Sequence, residues 1–150
     1  DILRLPGIYG PGRNALVDVA EGRARRIARP GQVFNRIHVD DIAATLATLT
    51  ARAAGGPAEP RIGIYNVSDD EPAPQGDVIT YAASLLGIAP PPETTLEEAG
   101  LSPMGLSFWT ENKRIANARL KAELGIQLAY PNYRIGLDAL FAAGEGRPTA

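Results

Sequence analysis

Short apolar runs broken by glycine and proline alternate along this chain with longer stretches in which apolar residues return every three or four positions. The runs "ILRL" ending at Pro6, "FNRIHV" from Phe34 to Val39 and "IGIYNV" from Ile62 to Val67 are rich in β-branched and aromatic residues. Each is bounded by Gly, Pro or Asp and predicts a strand. From about Asp41 to Ala53 the period changes: Ile42, Leu46 and Leu49 recur at i, i+4 and i+7. That predicts a helix capped by Asp40, with Asp41 in a first turn that favours acids. A second helix, Gln75 to Leu86, gathers Val78, Ile79, Ala82, Leu85 and Leu86 on one face, and Gly87 is placed to take the left-handed C-terminal conformation. Asn117 as N-cap and Gly125 as stop bracket a third, Ala118 to Leu124. A fourth begins near Pro131 and buries Tyr133, Leu137, Leu140 and Phe141. "AGGPAEP" reads as a loop, Pro90 to Pro92 as a break, and "GEGRPTA" as a frayed tail.

Strands that alternate with helices predict a parallel sheet, because parallel neighbours need a crossover between them. Three strands make a poor sheet alone. The free side of "ILRL" calls for partners that these residues do not supply, and the chain opens without Met inside a strand pattern. The expectation is a segment of a larger α/β fold.

Composition narrows the partners. At 150 residues and 45% hydrophobic, the chain has the composition of one globular core. Fifteen basic residues against 17 acidic ones leave a net charge of -2, so no overall field favours nucleic acid or an anionic membrane. Any anionic ligand is therefore gripped locally. The absence of cysteine removes disulfide and thiolate chemistry, and a single histidine, His38, argues against a transition-metal site. No apolar run reaches the ~20 residues that span a bilayer, and no secretory leader pattern opens the sequence. These features predict a soluble, cytoplasmic protein. Arg23, Arg25, Arg26 and Arg29 form a basic run without interleaved aromatics, which reads as a solvated helix end.

The stretch "RLPGIYGPGR" holds Gly10, Gly12 and Ala15 in the spacing G-x-G-x-x-A of a dinucleotide-binding loop. Such a loop needs an acid about 20 residues on, and "IARPGQ" supplies none; Pro11 also removes one of the N–H groups the phosphate would need. The glycines read instead as turn formers. Arg36 lies among apolar neighbours, where a charge needs either an anionic ligand or an ion pair with an acid such as Asp40 or Asp41; both remain open. Alternation puts Arg36 and His38 on one strand face and Ile37 and Val39 on the other. Arg13 is the second candidate for a substrate grip. His38 reads as a hydrogen-bonded structural residue, Trp109 and Phe108 as core or interface, and Asn112, Lys113 and Arg114 as weaker substrate candidates.

Four segments in order, "LRLPGIYGPGR", "FNRIHVDDIAATL", "YNVSDDEP" and "NKRIANARLKAELG", resemble the C-terminal half of the extended short-chain dehydrogenase/reductase superfamily, in its NAD-dependent epimerase/dehydratase family. The resemblance implies that residues 1–150 are the last strands of a doubly wound Rossmann-type sheet plus the small substrate-binding lobe, with the N-terminal nucleotide-binding half absent. It implies NAD or NADP in the intact parent and a small, sugar-like substrate that is epimerised, dehydrated or reduced; a homodimeric parent accords with it. It places Pro6, Gly7, Ile8 and Tyr9 in a loop beside the nicotinamide, and in such a parent Arg13 and Arg36 are the substrate candidates. Nucleotide-sugar epimerases of the family commonly carry the arginine two positions earlier, so here it keeps the strand face but leaves the substrate class open. Family catalysis rests on Tyr-x-x-x-Lys, and none of the five tyrosines has lysine at i+4; Tyr9 precedes Arg13 and Tyr130 precedes Arg134. No residue of this chain is therefore expected to be catalytic. The alternative is a non-catalytic NAD(P)-sensing or partner-binding protein on the same fold.

Overall fold

The computed structural model describes residues 1–55 and 63–147; most of "AGGPAEP", Ile62 and the last three residues of the tail lie outside them. The first half of the chain forms β1 (Ile2–Arg4), β2 (Gly7–Tyr9), α1 (Ala15–Ala20), β3 (Arg26–Ile27), β4 (Arg36–His38) and α2 (Val39–Ala54). The second half forms β5 (Ile64–Asn66), α3 (Gln75–Leu86), β6 (Glu93–Thr94), α4 (Pro103–Ser107), α5 (Ala118–Leu124) and α6 (Tyr133–Ala142). Every strand pair among the described residues is parallel: β1 with β5, β2 with β4 and β3 with β6. The fold is the mixed α/β arrangement that the alternation predicts.

Several boundaries depart from the sequence reading. Gly7, Ile8 and Tyr9 are a strand, not a loop: Pro6, which has no N–H to give a ladder, ends one strand, and the chain resumes beside a different partner. "FNRIHV" shrinks to three residues. Phe34 makes an isolated antiparallel bridge to Ala73, and Val39 already belongs to α2. The cap of α2 is accordingly His38, whose Nδ1 accepts the Asp40 N–H at 3.2 Å, while the Asp40 side chain stays exposed. Asp41 is buried and accepts the N–H groups of Ala129 (2.8 Å) and Tyr130 (3.1 Å), so it fixes the approach to α6 rather than merely favouring a helix dipole.

Two glycine stops and the start of the last helix fall where the pattern puts them. Gly87 (φ 68°) and Gly125 (φ 65°) end α3 and α5 in the left-handed conformation. Asn132 caps α6 by accepting the Ile135 N–H at 3.1 Å. Asn117 sits at the start of α5, but its amide donates to Ser68 O and Asp70 Oδ1 instead of capping. The basic run is not a helix end: Arg26 lies in β3, and Arg29 donates to the carbonyl of Trp109.

Packing divides the interior into three parts. Leu16 and Val19 of α1, Val78, Ile79 and Ala82 of α3, and Tyr133, Leu137 and Leu140 of α6 close around Tyr9. Ile37, Tyr65 and Val67 meet Ile42 of α2 and Leu120 of α5. Trp109 packs edge-on against Phe34 at 4.8 Å, beside Ile27 and Ala99, whereas Phe108 is 65% exposed. Ile2, Leu5, Leu46 and Ile64 are exposed. Among the described residues, no helix is long and apolar enough to cross a membrane.

Candidate functional site

The parallel register sets Gly7 opposite Arg36, Ile8 opposite Ile37 and Tyr9 opposite His38. A cavity of about 270 Å³ opens beside this pair, between α1, α3 and α6. Gly7, Ile8, Tyr9, Arg13 and Arg36 line it together; Pro6 does not. The rest of the wall is mainly apolar, with Val78, Ile79, Leu137 and the ring of Tyr133, and Gln75 adds an amide.

Arg36 is half-buried. Its Nη1 donates to Phe34 O at 2.9 Å and Ala73 O at 3.2 Å, and among the described residues no hydrogen bond holds Nε or Nη2. The acids weighed as partners are engaged elsewhere, Asp41 with backbone and Asp40 beside His38. Asp69, fully buried, is the carboxylate whose field reaches Arg36. Among the described residues, neither carboxylate oxygen of Asp69 has a hydrogen-bond partner of good geometry. Burial pushes its carboxyl up to about 7, against the pull of the Arg36 guanidinium and nearby backbone N–H groups. Burial in turn lowers the pKa of Arg36, partly offset by Asp69, but a guanidinium stays charged throughout the ordinary pH range.

Tyr9 reaches from β2 to the backbone of α6, where Gly136 leaves room for its hydroxyl. That hydroxyl is buried without a partner, and burial together with Asp69 holds its pKa far above that of an ordinary phenol. Tyr9 is therefore a wall, not a base. His38 stacks on Tyr130 (ring centroids 3.9 Å) and meets the edge of Tyr9 (5.1 Å). Burial lowers its pKa, and an Nδ1 that accepts an amide proton leaves the ring proton on Nε2. His38 is a structural, neutral residue.

The turn after β2 is closed by its own chain. Gly10 and Arg13 exchange backbone hydrogen bonds at 3.1 Å, and Gly12 takes φ 73°. Oε2 of Glu145 accepts from the Gly12 N–H and from Asn14 Nδ2, both at 2.9 Å. The segment read as a frayed tail thus holds the turn that carries Arg13. The Gly12 N–H already has an anion, in keeping with a turn rather than a pyrophosphate cradle. An added Cβ at Gly12 meets nothing within 4 Å, so Gly12→Ala is expected to cost about 1–2 kcal/mol of left-handed strain and no more. A melting curve beside a cofactor titration of the intact protein checks this; a folded variant without cofactor affinity contradicts it.

Asn112 and Lys113 prove to be straps. Asn112 accepts the Val33 N–H (3.1 Å) and donates to Gly31 O (2.8 Å), and Lys113 O accepts from Asn35 Nδ2 (2.8 Å). They hold residues 31–35, the approach to β4.

No family model matches the chain. It is 32% identical over 148 residues to the 3-diazoavenalumate denitrifying reductase of a Streptomyces species, covering 91% of this chain and 45% of that protein. A structure designated an NAD-dependent epimerase/dehydratase, from Methylobacillus flagellatus, superposes with a TM-score of 0.64 at 36% identity over 95% of this chain and 46% of its own. The chain belongs to the NAD-dependent epimerase/dehydratase family of the extended short-chain dehydrogenases/reductases. A conserved Silicibacter pomeroyi protein of unknown function matches with a TM-score of 0.82 at 53% identity, over 95% of this chain and 48% of that one. The epimerase/dehydratase chain described here thus spans about half the length of these relatives.

Within this epimerase/dehydratase chain, the sequence reading picked out both arginines and the β2 wall but missed Asp69, Gln75 and Tyr133. Tyr133 was read only as a core position of a helix, which it also is. Gln75 accepts the Ile27 N–H at 3.2 Å, a contact between elements that no local pattern encodes. Asp69 stands next to the partly exposed, lysine-paired Asp70, and nothing in "SDDEP" separates the two.

Proposed function

We propose that this chain is the C-terminal, substrate-binding half of an NAD(P)-dependent epimerase/dehydratase or related reductase, and that it does not catalyse the reaction by itself. The observation that carries the reading is the free guanidinium edge of Arg36 in a cavity walled by Gly7, Ile8 and Tyr9. On this reading Arg13 and Arg36 hold a small-molecule substrate, sugar-like in the family's manner. The β2 strand, set by Pro6, flanks the nicotinamide. The residues suit such a ring: Gly7 offers bare backbone, and Ile8, 40% exposed, offers an apolar surface. When bound, the nicotinamide supplies hydride transfer; this chain orients the substrate against it and excludes water through the apolar wall.

Two facts support the half-enzyme reading. The relatives are about twice as long, and one carries NAD dependence in its name. The exposed Ile2 and Ile64 lie on β1 and β5 and the exposed Leu5 just past β1, where the rest of a larger fold would cover them. The proton-transferring Tyr and Lys then belong to the other half, and the parent works in the cytoplasm, where a homodimer accords with the family. In the intact protein, Arg36→Lys keeps the charge but loses the planar fork, so KM for substrate should rise about tenfold or more, with cofactor affinity unchanged and Tm nearly so. A fall in Tm of many degrees with unchanged KM would make Arg36 a structural residue.

A further inference from the structure

The geometry of the cavity points to the class of its occupant, and the argument rests on reading this cavity as the substrate site. Arg36 is fixed at one end. Its Nη1 is engaged by the Phe34 and Ala73 carbonyls, so the guanidinium cannot swing, and the edge left over is the pair Nε and Nη2. Two parallel N–H groups on one planar edge match the two oxygens of a carboxylate. A tetrahedral phosphate, by contrast, calls on donors from several directions, such as a helix N-terminus or a nest of backbone N–H groups. The nearest such turn, at Gly12, donates to Glu145 instead.

Charge and size agree with this. Arg13 and Arg36 line the cavity against Asp18, itself shared with Arg23 at 3.1 Å, and the field of the buried Asp69 also reaches Arg36. The positive charge on offer is therefore small: one negative charge on the occupant suits it, and the several charges of a diphosphate exceed it. This chain alone walls about 270 Å³ of the site, enough for a ring-sized body beside whatever the other half adds. Beyond the arginine edge the walls are Ile8, Val78, Ile79, Leu137 and the Tyr133 ring, and the amides of Asn14 and Gln75, which also line the cavity, are engaged by backbone and Glu145, which leaves few partners for a hydroxylated or nucleoside body.

We infer that the occupant is a small organic acid, one carboxylate on an apolar body of about a ring's size, held by Nε and Nη2 of Arg36 and not a nucleoside diphosphate. The body lies along the α3 and α6 walls, and Arg13 at the mouth adds long-range attraction without a fixed contact.

The test is equilibrium binding to the intact protein with three probes: 3-phenylpropanoate, its uncharged amide 3-phenylpropanamide, and uridine diphosphate, followed by calorimetry and by NMR shifts of labelled Ile79 and Leu137 methyl groups. The acid should bind and shift those methyls, at least tenfold tighter than the amide. Arg36→Gln should remove that preference. Because Arg36 also ties two carbonyls, exposed positions give a second route: Arg13→Gln should weaken the acid two- to threefold, and Ile8→Asp at least tenfold, with the melting curve unchanged. Uridine diphosphate that shifts the same methyls more tightly than the acid overturns the inference while leaving the cavity as the substrate site. If no probe shifts them and turnover is indifferent to Arg36→Lys and Ile8→Asp, both readings fail together.

Discussion

Asp69→Asn in the intact protein is expected to melt higher than the parent at pH 8 and to lose that advantage by pH 4. Asp69 is fully buried, with both carboxylate oxygens lacking good hydrogen bonds, and its folded pKa of about 7 lies above that of an exposed carboxyl. The fold therefore prefers the protonated form. Below about pH 4 that form is present in folded and unfolded chains alike and nothing is lost. As pH rises toward 7 the unfolded chain ionises while the folded one resists, and stability drains away. Asparagine mimics the protonated acid at every pH. At about 1.4 kcal/mol per pH unit, the gain above pH 7 is on the order of 2–4 kcal/mol. His38 acts in the opposite sense, because burial lowers its pKa below 6.5: its contribution is intact above that value and lost as pH falls. Subtracting variant from parent removes the histidine term. A difference in Tm that is flat from pH 4 to 8 would mean that Asp69 is ionised and satisfied in the folded protein.

Gly136→Ala should be among the most damaging single substitutions in the helical part of the interior. A Cβ at this position would land on Tyr9 Oη and press on Cε2 and Cζ at 2.7 Å, and the ring cannot retreat because His38 lies against its edge. Overpacking of this kind costs about 1–3 kcal/mol and displaces the strand that carries the cavity wall. Tyr9→Phe alone removes a buried hydroxyl that has no partner, so it should be neutral or mildly stabilising. Combined with Gly136→Ala it should recover part of the loss, and a double-mutant cycle of melting free energies measures the coupling. Strict additivity of the two would show that the ring and the helix do not press on each other.

These two residues show where the sequence was readable and where it was not. The period of Val78, Ile79, Ala82, Leu85 and Leu86 and the glycine that follows gave α3 with both ends correct, because the helix carries its own face and its own stop. Gly136 offered no comparable signal: its meaning lies in a tyrosine 127 positions earlier, brought to it by tertiary packing alone. β3 and β6, two residues each, are too short for any period to register. The helix cap slid from Asp40 to His38 because an imidazole nitrogen can take the same N–H that a carboxylate usually takes, and composition favours the acid. Arg36 was legible because a cation among apolar neighbours stands out in any alternation. The carboxyl whose field reaches it was not, since Asp69 comes from a turn 33 residues on.

The hydrogen bonds from Gly12 and Asn14 to Glu145 join residues 133 and 131 positions apart, and that separation sets an order of events during synthesis. A ribosome adding about 5–20 residues each second leaves the Gly10–Arg13 turn without its acid for roughly 7–27 s after it emerges. α1 waits as well, because α3 and α6, which bury Leu16 and Val19, come later. The arginine-bearing rim of the cavity is thus among the last parts of the chain to take shape. A nascent chain halted just short of Glu145 would hold β2 and β4 in register while leaving Arg13 on an unfastened turn.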